Sequence, residues 1–378
     1  MFFKSPPKDK ASWGVVCTCA EPTPLMVAFV AHHLEMGAHR VYLFLDQPNP
    51  ELCDILADVR KCEIIVCDAA YWLKAVGTDR PVSTEKRQIQ NAFNAYGRAE
   101  VDWLAHVDAD EFLHSDVDLA RYLGAVPDGV DYVAVPNVER VFDSTVAQRH
   151  LFDGVMRRPL PRGWIKQELI FKEDVTPYLS RGLPAHGSGK SIMRTGVGLL
   201  PGIHSPRSSS SMERRATAID GVGVSVFHYD GLTGLHWVMK LRRLYFNQNQ
   251  KVSKHGLFGT PRGEQLHYVV ENEGEFDALF TLHQMLKTLH PNDIERLDML
   301  GLICRGQIDP LGAIERLGLS EKVDMSLSAF DGYLGNWQED LPDQRKRWYR
   351  LSRRSARTAA VATPDGAVPE TSKSLAET

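Results

Sequence analysis

The sequence predicts an α/β fold, a mainly parallel sheet with helices on both faces, followed by a C-terminal mostly helical extension. Three observations predict it. Between residues 13 and 136, short apolar runs alternate with helical stretches. Those runs are near-continuously apolar, the pattern of strands buried on both faces. After residue 230 the helical period takes over, at 234–250, 276–290 and 309–318.

Each element has its own justification. Trp13–Cys19 (WGVVCTC) is apolar and β-branched and reads as a strand. Thr23 and Pro24 supply an N-cap and first-turn proline for a helix over Leu25–Met36, with Gly37 as C-cap. Arg40–Leu45 is a second strand ending at Asp46, and Asn49-Pro50 opens a second helix through Val59. Glu63–Cys67 is a third strand. Residues 83–96 place Ile89, Ala92, Phe93 and Tyr96 on one helical face. Val101–Val107 is read as the fourth strand and Tyr132–Pro136 as the fifth. From 136 to 230 Gly, Pro and Arg become frequent, strands look short, and the serine run at 208–211 reads as a loop.

Composition narrows the function. The chain has 378 residues, 43% hydrophobic and 24% charged, ordinary for a globular protein. A net charge of -4 gives no basic excess for coating a polyanion, so no nucleic-acid partner is expected. Six cysteines without a CxxC argue against a disulfide scaffold or structural zinc. The N-terminus shows no signal-peptide pattern, and the apolar run Leu25–Ala31 is far short of a membrane span, so a cytoplasmic protein is expected.

The chemistry concentrates in Trp103–Leu113, WLAHVDADEFL. An apolar strand ends and Asp108, Asp110 and Glu111 follow at once. In open parallel sheets, ligands bind at the carboxyl ends of strands. Carboxylates this close repel one another and are costly to desolvate, so a divalent cation is the expected compensation. Mn²⁺ or Mg²⁺ suits such oxygen ligands and completes its shell with substrate phosphates. On this reading Asp110→Asn should leave the fold intact, because it relieves repulsion.

These residues resemble the glycosyltransferase family 2-like proteins of GT-A (Rossmann-like) fold, in the bacterial branch marked by D-x-D-E-F. Glu21 with HHLEMG (32–37), RVYLFLDQPNP, KRQIQNAFNAY and GKSIMRTGVGLLPGIHSP (189–206) also resemble family segments. The resemblance implies a metal-dependent transferase that moves a sugar from a nucleotide-sugar donor to an acceptor hydroxyl, with inversion, in surface glycan synthesis. It implies a donor- and catalysis-bearing domain over 12–230, a helical region over 231–345 and a basic, then disordered, tail over 346–378. Asp108, Asp110 and His204 are the implied metal set. Glu21, Asp46, Arg87, Gln90, Asp108 and Lys190 are the implied donor contacts, and Arg194 is a further phosphate contact. Asp143 and Glu168 lie where the acceptor and its general base are expected. The resemblance also covers His228-Tyr229, although a core role fits that pair equally; His106 and His33 read as core histidines.

Two other classes fit parts of the pattern. An aspartyl-nucleophile phosphatase also places D-x-D after an apolar strand, but Phe112 stands where that chemistry needs a small residue. A non-catalytic GT-A-fold protein that binds sugar or serves as a scaffold would keep the fold without turnover. Residues 345–357 carry seven basic residues and two aromatics, with no acid. They read as a solvated charge run or as a peripheral contact with the inner face of a membrane, which would suit a glycan or glycolipid acceptor.

Overall fold

The computed structural model describes residues 9–164, 167–212, 214–248 and 259–335. Those up to Leu334 belong to one compact unit. The basic segment 345–357 and the tail fall outside the described residues.

Strand β1 (Trp13–Cys19) leads to helix α1 (Thr23–Glu35), β2 (Arg40–Leu45), α2 (Pro50–Leu56), β3 (Cys62–Val66), α3 (Ala69–Val76) and α4 (Thr84–Arg98). Then come β4 (Trp103–His106), β5 (Glu111–Ser115), α5 (Leu119–Gly124), β6 (Tyr132–Val135), β7 (Asn137–Asp143), β8 (Val155–Arg157) and β9 (Lys190–Arg194). A short hairpin of β10 (Leu199–Leu200) and β11 (Arg207–Ser208) precedes β12 (Ala218–Asp220) and β13 (Val224–His228). The C-terminal part holds α6 (Gly234–Gln248), α7 (Pro261–Glu271), α8 (Phe276–Lys287), β14 (Thr288–Leu289), α9 (Pro291–Met299), β15 (Ile303–Cys304), α10 (Pro310–Arg316) and α11 (Leu327–Gly335).

The first sheet runs β12-β6-β9-β4-β1-β2-β3. Its pairs are parallel except where β9 lies antiparallel between β4 and β6, so the expected mainly parallel α/β architecture is present. On one face Val16, Phe44 and Leu104 pack under Trp72 of α3 and Ala92, Ala95 and Tyr96 of α4. Alternation sends Val15, Cys17 and Leu43 to the opposite face, and all three are fully buried. Each such aliphatic or aromatic side chain contributes about 1.5–3 kcal/mol on burial. A second sheet, β15-β8-β7-β13-β5, stands beside the first. Helix α1 packs against both β2 and β5, so it is buried nearly all round. Its two histidines serve that junction, His32 Nε2 donating to the Leu113 carbonyl at 2.7 Å and His33 accepting from the Leu113 amide.

Several local expectations change. Helix α1 is capped by Pro22 without a side-chain bond, and the Thr23 hydroxyl instead donates to Glu51 at 2.7 Å. The predicted fifth strand is β6, because the acidic turn runs straight into another strand, β5. α3, α5, α7, α9 and α11 are helices that the sequence reading does not single out. The six cysteines are free. Among the described residues no helix is long and apolar enough to cross a membrane.

Candidate functional site: a buried carboxylate, lysine and histidine cluster

The acidic trio sits where the sequence places it, on the turn between β4 and β5. The turn is closed by its own members: the Glu111 amide donates to the Asp108 carbonyl at 3.1 Å, and the Asp108 amide donates to Glu111 Oε2 at 2.8 Å. The Tyr229 amide donates to the Asp110 carbonyl, tying the turn to the end of β13. The three acids differ in depth. The Asp108 side chain keeps 30% exposure, whereas Asp110 is 5% exposed and Glu111 fully buried.

Lysines and a histidine compensate this charge. Lys190 Nζ, buried at the start of β9, lies 2.7 Å from Asp108 and 3.0 Å from Glu111. Gly189, at φ +69°, makes the turn that presents Lys190; a Cβ there would lie 2.3 Å from the Val135 carbonyl. Lys240 of α6 donates to Asp110 and lies 3.5 Å from Asp230. His228 bridges Asp110 and Glu139, 3.5 Å from each. Lys287 lies 3.5 Å from Asp230 and 3.7 Å from Glu139, and Arg262 lies 3.3 Å from Asp230. Five carboxylates (108, 110, 111, 139, 230) thus meet five cationic groups (190, 228, 240, 262, 287).

Strand register explains the arrangement. Glu111 pairs with His228 across β5 and β13, His228 with Glu139 across β13 and β7, and Glu139 with Arg157 across β7 and β8. Cross-strand partners share a face, so four strands lay down a row of alternating charge.

The electrostatics follow. Burial alone would lower the His228 pKa, but Asp110 and Glu139 raise it to about 10. Burial would raise Glu139, yet Lys287 and His228 hold it down at about 2. Asp110 and Glu111 are likewise depressed against the pull of burial, chiefly by Lys240 and Lys190 respectively. Burial, assisted by Lys190, lowers His106 to about 4, and its Nδ1 donates to the Gly202 carbonyl. Burial also lowers His204.

Lys190 and Lys240 supply part of the compensation that the sequence reading assigns to a divalent cation. The expected fold neutrality of Asp110→Asn does not suit this arrangement, because the substitution takes one of two carboxylates from each of Lys240 and His228.

Two groups nevertheless have ligand atoms within 4.8 Å of one another and could hold a metal ion: Glu111, His186 and His228, and Asp110, His228 and Asp230. Glu111 Oε1, His186 Nδ1 and His228 Nδ1 are buried without hydrogen-bond partners, the unsatisfied state that an ion or ligand relieves. His228 carries a proton in the metal-free chain, so the donor set fits a divalent metal that displaces this proton on binding. Of the expected set, Asp110 belongs to one of these groups. Asp108 is occupied by Lys190 and by Gln88 Nε2 at 2.5 Å, and His204 Nδ1 donates to the Gly189 carbonyl.

The expected donor contacts divide. Asp46, after β2, is clamped by Arg87 and Arg80, each at 2.8 Å. Arg87, Gln88 and Asn91 point from one face of α4 toward the ends of β1, β2 and β4. Gln90 lies two residues from Gln88, just over half a helical turn away, and is not brought to Asp108. Glu21 is held by His236 at 3.0 Å and Arg243 at 2.9 Å. Arg194 stands at the far end of β9, donating to the Val130 carbonyl and stacked over Trp103. Asp143, the last residue of β7, is half-buried and accepts from Thr145 in a local turn, and Glu168 is exposed on a single 3-10 turn.

Sequence reasoning missed His186, Glu139, Asp230, Lys240, Lys287 and Gln88. One signal was available: His236, Lys240 and Arg243, spaced i, i+4, i+7, put a basic face on an otherwise apolar helix.

No family model matches the chain, and no curated protein sequence matches it. Among solved structures, HddC from Yersinia pseudotuberculosis aligns over 58% of this chain and 76% of its own, at 12% identity and a TM-score of 0.25. The mannosyltransferase Ktr4p from S. cerevisiae aligns over 37% of this chain and 42% of its own, at 11% identity and a TM-score of 0.22. Likeness this faint carries no argument about the chain's activity.

Proposed function

We propose that the chain is a glycosyltransferase that moves a sugar from a nucleotide-sugar donor to a hydroxyl of a glycan or glycolipid acceptor. The observation that carries this reading is the half-exposed Asp108 above a buried, cation-rich floor at the carboxyl end of β4. Departure of a nucleoside diphosphate builds negative charge on phosphate oxygens. Lys190 and Lys240 stand ready to offset it, and both stay protonated because neighbouring carboxylates raise their pKa despite burial. Asp46, with Arg87 and Glu21, borders the same strand ends on the side where the nucleoside would lie.

Mn²⁺ or Mg²⁺ would be held by Asp110, His228 and Asp230 or by Glu111, His186 and His228; the imidazole in both sets favours Mn²⁺. Once bound, such an ion supplies Lewis-acid neutralisation of the diphosphate. On the acceptor side, a carboxylate takes the hydroxyl proton as the hydroxyl oxygen attacks the sugar, which gives inversion by single displacement. Asp143 and Glu168 are our assignments for that role.

The test is calorimetric titration of the whole chain with a panel of nucleoside diphosphates, with and without Mn²⁺, followed by a donor-hydrolysis screen by mass spectrometry. Mn²⁺-dependent binding of one diphosphate, with release of its sugar, supports the proposal. Absence of binding by every diphosphate overturns it.

A further inference from the structure

Away from the cluster, a cavity of about 190 Å³ lies between residues 170–175 and the connection from α8 to α9. Ile170, Phe171, Leu289 and Leu297 give it apolar walls, and Arg157 and Arg296 also line it. The two guanidiniums differ. Arg296 is engaged, donating to the Ile170 carbonyl at 2.5 Å and lying 3.4 Å from Asp293. Arg157 is 1% exposed, and its Nε and Nη2 have no hydrogen-bond partner among the described residues. Its neighbour in the charged row, Glu139, is already engaged by the Ala185 and His186 amides, His228 and Lys287. What Arg157 does have is the Phe171 ring, 5.2 Å from its guanidinium carbon.

A buried guanidinium without an anion is costly. Nε–H and the adjacent Nη2–H form the side-on edge of the group, two parallel donors that match the two oxygens of a carboxylate. The wall is mixed, its apolar side chains standing beside Lys172, Asp174 and Asp293, and the volume is below the ~300–1,000 Å³ of pockets that hold drug-sized ligands. We propose that this cavity is a binding site for a small organic carboxylate, anchored by Arg157 against the Phe171 ring. This inference does not rest on the proposed transferase activity.

The experiment is thermal unfolding of the full chain with benzoate, its neutral analogue benzamide, and inorganic phosphate. Benzoate raises the wild-type Tm saturably, by roughly 2–5 °C. Benzamide leaves it unchanged, and phosphate shifts it less than benzoate. Arg157→Met loses the benzoate response, and without ligand its Tm does not fall, because the substitution removes an unpaired buried charge. Arg157→Lys keeps the charge but not the fork, and weakens benzoate at least tenfold. The proposal is overturned by no saturable shift in the wild type, by an equal benzamide shift, by phosphate surpassing benzoate, or by benzoate acting alike on wild type and Arg157→Lys.

Discussion

The two sheets build the cluster in different ways. The first sheet delivers its acids by a strand end: β4 stops, the chain turns, and Asp108 is left at the rim, partly in water. The second delivers its charges by register, laying Glu111, His228, Glu139 and Arg157 side by side across four buried strands. Acids three residues apart in sequence therefore live in different electrostatic environments. Both pair with Lys190, but Asp108 keeps an exposed edge that can meet a ligand, whereas Glu111 is enclosed beneath it. A site whose floor neutralises itself can keep its shape before any ligand arrives.

Breaking the floor should cost most. Asp110→Asn takes one carboxylate from each of Lys240 and His228, which keep Asp230 and Glu139 respectively, and should destabilise the chain by up to ~3–5 kcal/mol. Urea unfolding measures this, and a loss below about 1 kcal/mol would mean that the cluster is not coupled as described.

A pH titration sharpens the same contrast. His228 titrates near 10 when folded, against ~6.5 unfolded. The folded state therefore holds a proton that the unfolded state releases between those values. The stability from His228 is complete below ~6.5 and is lost as the pH rises through about 10. Glu21 and Glu139, both held at about 2, act in the opposite direction. Their contribution is present above ~4.3 and is lost as the pH falls toward 2. In His228→Asn the alkaline decline in Tm should flatten, and the acid limb should weaken because Glu139 loses one of the cations that hold it down; an unchanged alkaline limb would place the proton elsewhere.

Carboxylates outside the cluster should matter least to stability. Asp143→Asn and Glu168→Gln should each change unfolding free energy by less than ~1 kcal/mol, because Glu168 is exposed and half-buried Asp143 makes only a local turn contact. If either is the base, kcat falls by ~10²–10⁴-fold with donor binding retained. Full turnover in both variants would remove the assignment.

Much of the first sheet was legible because buried parallel strands advertise themselves as apolar runs, and because D-x-D at a strand end is a local pattern. The second sheet was not. Glu139 lies within NVERVFD, four of whose seven residues are polar or charged, which in sequence does not read as a buried strand, and only its pairing with His228 reveals the burial. Lys287 ends α8 and looks in sequence like a dipole-matching residue in a last turn. It becomes a cluster member through tertiary packing. Gln88 rather than Gln90 reaches Asp108 because the face of α4 is set by Arg87 and Asn91 docking on β2 and β1. A list of polar residues in a helix cannot choose between them.

The most direct test uses Asp108→Asn, since that side chain stands at the rim. Unfolding of this variant and calorimetric titration with the nucleoside diphosphate that wild type binds, in Mn²⁺, should give a stability within about 1 kcal/mol of wild type and at least a tenfold loss of affinity. Wild-type affinity in a stably folded Asp108→Asn protein would contradict the claim that the turn after β4 receives the donor.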